Sequence, residues 1–161
     1  MNAKRSLLFT GILLAIILIG FVLYRQQFHS SGAPVTISGI TVPPLPRFDP
    51  AQIELGSHVY AQNCASCHGA ILEGQPNWKQ TRSDGKLPAP PQDSSGHTWH
   101  HADDVLISII ANGGDPSYSN MPAFREILTE AEIIAVLDFI KSSWGQDERE
   151  YQWWLSMRDQ Y

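Results

Sequence analysis

The stretch Asn63–Gly69, NCASCHG, decides how this chain is read. It holds the only two cysteines of the sequence, Cys64 and Cys67, with His68 directly after the second. Thiols three positions apart share one face of a helical turn. Four chemistries compete for such a triplet. A Cys64–Cys67 disulfide suits an exported protein but leaves His68 without a part. A thioredoxin-like redox pair wants a βαβ setting, and no such pattern surrounds it. Structural zinc wants four Cys or His ligands; the triplet supplies three, and His68 is badly placed beside Cys67 to share a tetrahedron. Covalent haem attachment uses all three residues. Each thiol adds to one vinyl group of the porphyrin, and the next imidazole faces the iron.

The residues before the triplet form a helix. Asp49 can cap it and Pro50 suits its first position. Ile53, Gly56, Val59 and Tyr60 recur at helical spacing towards Asn63. The cysteine motif therefore falls at a helix C-terminus. After it, Gly74–Gly96 holds Pro76, Pro88, Pro90 and Pro91 without a sustained period and reads as a long loop, a feature usually tied to function. Asp103–Asn112 reads as a short helix with acids in its first turn and Gly113 as its stop. A second loop, GGDPSYSNMPAF, follows. Then LTEAEIIAVLDFIKSSWG forms the clearest helix: Thr129 and Glu132 make a capping box, and Ile133, Leu137, Ile140 and Trp144 mark one face. The sequence shows no convincing strand and no internal repeat.

Haem iron takes a second axial ligand or keeps an open position. Met1 is the initiator and Met157 lies in the tail. Met121 sits in the second loop before Pro122, whose ring stiffens the segment. A methionine ligand raises the reduction potential, which suits electron transfer. The plain alternative is that Met121 fills the core.

The ends of the chain differ from its middle. Leu7–Tyr24, LLFTGILLAIILIGFVLY, carries no charge and is long enough to cross a bilayer as a helix. Lys4 and Arg5 precede it, which keeps the N-terminus in the cytoplasm and exports the rest. A cleaved signal peptide is the alternative, against which stands the length of the apolar run. The expected layout is an uncleaved membrane anchor over 1–27, a Pro/Gly/Ser-rich linker over 28–48, a haem domain over 49–145 and an aromatic tail over 146–161. That tail, with Tyr151, Trp153 and Trp154, is expected to pack back on the domain. From residue 31 on, eight Lys and Arg face all sixteen Asp and Glu, a formal charge of −8. This argues against nucleic acid and against anionic lipid as partners.

The order of helix, CASCH, Pro-rich loop, short helix, MPAF and capped C-terminal helix, over about Asp49–Trp144, resembles the class I c-type cytochromes. The resemblance implies an all-α fold: a small helical shell around one covalent haem c, here preceded by a single N-terminal transmembrane helix. It implies that Cys64 and Cys67 bind the porphyrin and that His68 and Met121 ligate the iron. Gly56 and Tyr60 would meet Phe139 where the first and last helices cross. One of the prolines in Pro88–Pro91 would lend its carbonyl to His68. The sequence departs from the minimal pattern in the long loop before SGHTWHHADD and in the histidines there. His97, His100 and His101 cap the next helix and bond haem propionates, or build a second metal site with Asp93, Asp103 or Asp104, or replace Met121 as axial ligand.

Two functions follow from the resemblance. One is a membrane-tethered carrier passing single electrons between redox proteins, at the bacterial cytoplasmic membrane with its haem domain on the periplasmic or outer face. The other is a haem subunit permanently docked in an oxidase or dehydrogenase complex. No acid/base pair or nucleophile is arranged around an open metal position, so neither enzyme activity of its own nor a small-molecule substrate is expected.

Overall fold

The computed structural model describes residues 32–160. The expected membrane segment Leu7–Tyr24 lies outside them. Among the described residues no helix is long and apolar enough to cross a membrane.

Helix α1 spans Pro50–Asn63. Its first turn is fixed as the sequence requires, with the Asp49 carboxylate accepting the Ala51 N–H at 2.9 Å and proline at the start. A single turn, α2, Ala65–His68, carries the cysteine motif and follows without a loop. Helix α3 is Asp103–Asn112 and α4 is Glu130–Ser142. The capping box of α4 is complete: Thr129 Oγ1 accepts the Glu132 N–H, and Glu132 Oε2 accepts the Thr129 N–H at 2.8 Å.

Helices α1 and α4 cross at Gly56. A Cβ there would lie 2.0 Å from the Ala135 carbonyl oxygen and 2.8 Å from Phe139 Cβ. Only the missing side chain allows this approach. The Tyr60 and Phe139 rings meet at 5.4 Å one turn further on. Val59, Leu106, Ile110, Phe124, Val136, Leu137 and Trp144 fill the main core between α1, α3 and α4. Met121 and Trp99 pack at its margin.

Two expectations are corrected at the ends. The described part of the expected linker, 32–48, forms two short strands, and the fold is mostly but not purely α-helical. Val35–Ile37 (β1) and Ile40–Val42 (β2) pair antiparallel, with Val35 opposite Val42. The two-residue turn places Ser38 at φ 51° and Gly39 at φ 82°, the left-handed pair that a twisted hairpin needs. The signal stands in the sequence: VTISGITV alternates apolar and polar residues around Ser-Gly.

The tail packs back on the domain as expected, and does so as helix α5, Gln146–Met157, which begins directly after Gly145. Trp154 joins Val35 and Val42 in a second, smaller core. The Trp153 indole N–H donates to Pro43 O at 2.8 Å and that of Trp154 to Ile40 O at 3.2 Å. On its other side α5 is tied to the main core. Gln152, fully buried, donates to Asp103 Oδ1 at 2.7 Å, and the same carboxylate accepts Lys141 Nζ at 2.8 and 3.0 Å.

Candidate haem-binding site

Cys64 ends α1, and its N–H still donates to Tyr60 O at 2.9 Å. The following turn therefore continues the helix and puts Cys67 and His68 one turn on. Both cysteines are free thiols; Cys67 is exposed and Cys64 half-buried. Burial, and then the neighbouring Cys67, push the Cys64 thiol up to about 11, so it is a neutral thiol at pH 7. Gly69 ends the turn at φ 84°. There the Tyr60 hydroxyl donates to Gly69 O at 2.9 Å, locking the motif to α1.

His68 is held through one nitrogen. Its Nδ1 lies 2.8 Å from Pro90 O, which answers which of the three prolines of LPAPP supplies the carbonyl. This pairing leaves Nε2 free. Burial lowers the His68 pKa below its usual 6.5, against the pull of the Pro90 bond, so the ring is neutral at pH 7. Neutral imidazole is the form that binds a metal. Pro90 is itself fixed. Gln75 N–H donates to Ala89 O and Gln92 N–H to Leu72 O, each at 2.8 Å, and the Trp144 indole N–H donates to Gln92 O at 2.7 Å. A Cβ on Gly74 would lie 2.3 Å from Pro91 N. The long Pro-rich loop is thus a rigid wall against the motif.

The loop bearing Met121 folds onto the end of α3. Gly114 N–H donates to Met121 O at 3.1 Å, and the Met121 N–H donates to Ser119 Oγ at 3.1 Å. Phe124 and Arg125 N–H groups donate to Ile110 and Ala111 carbonyls at 3.1 Å. A Cβ on Gly113, φ 86°, would lie 2.9 Å from Met121 O. The backbone of Met121 is therefore set by α3, and its side chain packs at the edge of the core.

This donor set fits a covalent haem: two free thiols on consecutive turns, a neutral imidazole with a free nitrogen, and a thioether on a braced loop. It does not fit zinc. Among the described residues no group of three or more His, Cys, Asp or Glu side chains is gathered to hold a metal ion. The same observation corrects the reading of a second metal site at His97, His100 and His101. Their rings make aromatic contacts instead, His97 meeting His101 edge-on at 5.6 Å. His97 stacks on Trp78 at 5.6 Å, and His100 stacks on Trp99 at 3.7 Å with Tyr151 edge-on at 5.8 Å.

Sequence reasoning missed Gln92. Its buried side-chain amide lies 3.0 Å from His68 Nδ1. The only signal was a polar residue closing the run LPAPPQ.

The family model "Cytochrome C oxidase, cbb3-type, subunit III" matches residues 51–140. No curated protein matches the chain. Among solved structures, the chain is similar to cytochrome CL from the marine methylotrophic bacterium Methylophaga aminisulfidivorans MPT, at 21% identity and a TM-score of 0.43. The similarity covers 64% of this chain and 61% of that one, so this chain spans under two thirds of its length. The family model spans residues 51–140 and takes in the CASCH motif, and the chain belongs to the cbb3-type cytochrome c oxidase subunit III family as a class I c-type cytochrome with covalently attached haem c.

Proposed function

We propose that this protein is a membrane-tethered mono-haem electron carrier whose iron is ligated by His68 and Met121. The observation that carries the reading is the His68–Pro90 bond. It orients the ring, keeps the proton on Nδ1 and leaves Nε2 for iron. The haem supplies a metal that holds or gives up one electron. The chain does the rest. Cys64 and Cys67 would fix the porphyrin through two thioethers, Met121 would join His68 as a ligand, and the apolar core beside them would keep water away. No group of this chain has to accept or deliver a proton, so the protein acts as a carrier and not as an enzyme. The acidic surface suits redox partners with basic faces. The apolar Leu7–Tyr24 segment would hold the domain at the cytoplasmic membrane, on the periplasmic or outer face.

A second reading is favoured by the family itself, whose name is that of an oxidase subunit. In it the same haem chemistry runs inside a permanent complex. Detergent extraction separates the two: a carrier purifies alone, a subunit brings its complex with it.

The test of ligation is the spectrum of the oxidised, haem-loaded protein. The weak far-red methionine-to-iron band should be present and should vanish in Met121→Ala. Its absence from the unmodified protein would remove Met121 from the iron.

A further inference from the structure

His68 Nδ1 has two neighbours, and they make opposite demands. Pro90 O, at 2.8 Å, can only accept a hydrogen bond. Gln92 Nε2, at 3.0 Å, can only donate one. One ring nitrogen cannot donate and accept at once, so no tautomer of His68 satisfies both. Once iron takes Nε2, Nδ1 must carry the proton, and the Gln92 N–H would face another N–H inside the protein. Gln92 is 9% exposed, so water cannot relieve the conflict.

The third neighbour resolves it. Thr98 Oγ1 lies 2.9 Å from Gln92 Oε1. A hydroxyl donates or accepts equally well, so Thr98 tolerates either face of the amide. The amide's oxygen and nitrogen are nearly the same size, and turning it over moves no other atom.

We propose that in the haem-loaded protein the Gln92 amide is turned over, so that Oε1 becomes a second acceptor for the His68 Nδ1 proton while Nε2 donates to Thr98 Oγ1. His68 then gives one proton to two carbonyl oxygens, Pro90 from the backbone and Gln92 from a side chain. Two acceptors make the ring a more basic ligand, which favours ferric iron and lowers the reduction potential. Gln92 is a positioning residue that acts on the iron through His68. Its backbone cannot drift, because Gln92 O accepts the Trp144 indole N–H at 2.7 Å and Gln92 N–H donates to Leu72 O at 2.8 Å. Thr98 opens the turn that carries Trp99 and His100, so the ligand's environment is coupled to that aromatic cluster.

The inference rests on iron ligation by His68. The spectrum of the unmodified protein tests that reading separately, before any variant is made. The midpoint potential of Gln92→Leu and Gln92→Glu should then be measured on the haem-loaded proteins, with the methionine band as the check on an intact axial pair. The leucine variant, with one acceptor removed, should shift to higher potential. The glutamate variant, with a stronger acceptor, should shift to lower potential. Thr98→Val leaves His68 and Gln92 in place but frees the amide, and should move the potential upward by less; it serves if the leucine variant fails to mature. In the reduced protein, solvent exchange of the Nδ1 proton should quicken in Gln92→Leu. Unchanged potentials and unchanged exchange overturn the proposal. So does a downward shift in Gln92→Leu, the result expected if the amide donates to His68.

Discussion

The molecule has two cores, and they are closed by different means. The larger, between α1, α3 and α4, has the CASCH turn at its edge, and its closing contacts end on main-chain atoms. Gly56 lets two helices touch main chain to main chain, Tyr60 bonds the carbonyl of Gly69, and Trp144 bonds that of Gln92. The smaller, between the β1–β2 hairpin and α5, is sealed by two indoles whose N–H groups reach the carbonyls of Pro43 and Ile40. The first arrangement fixes single atoms, among them Pro90 O against the His68 ring. The second fixes only which segments lie together. Positioning chemistry lives in the larger core, and the smaller one is a clasp.

The sharpest way to break this division is Gly56→Ala. The added carbon meets the Ala135 carbonyl, which is backbone and cannot swing aside. Thermal or denaturant unfolding should show a loss of about 3 kcal/mol or more, and the far-red methionine band should weaken with it. Trp154→Ala should cost about 3 kcal/mol by emptying the clasp, yet leave the haem spectrum unchanged. A spectral change there would mean that the clasp shares in positioning the iron ligands. The smallest effect belongs to the α4 cap. Thr129 holds the Glu132 carboxyl below its ordinary 4.5 through backbone and side-chain hydrogen bonds. A carboxyl held low in the folded state adds stability above its unfolded pKa and loses it as pH falls through the folded value. Unfolding midpoints followed from neutral pH to below the ordinary carboxylate range should therefore fall less steeply in Glu132→Gln than in the unmodified protein.

How much of this was legible in the sequence divides along the same line. The larger core announced itself, because its parts are local: a cap at Asp49, two thiols and a histidine within five residues, and a capping box at Thr129 and Glu132. Each acts over one or two helical turns, where spacing alone carries the information. The crossing at Gly56 and the proline carbonyl required a resemblance, since they join residues far apart. That resemblance could not choose among Pro88–Pro91. The choice of Pro90 depends on how Gly74 and Leu72 pin the loop. The hairpin was misread because VTISGITV is short and lies in a Pro- and Gly-rich stretch, and its apolar face is covered by residues of α5 such as Trp154, more than a hundred positions away. His97, His100 and His101 misled for a similar reason. Neighbouring histidines suggest a shared metal, but nothing in the sequence reveals the rings of Trp78, Trp99 and Tyr151 beside them.

The clasp has a consequence for the order in which the protein becomes itself. Trp153 and Pro43 are 110 positions apart, yet they share a hydrogen bond. The CASCH turn lies well inside that span, so both thiols leave the ribosome before α5 exists to close the fold. Until α5 arrives, β1 and β2 form an isolated two-stranded ribbon, which is marginal in water and presents Val35 and Val42 without cover. Closure of the ends therefore waits on α5, and a chain cut short before Gln146 would keep its haem motif while leaving Val35 and Val42 of the hairpin uncovered.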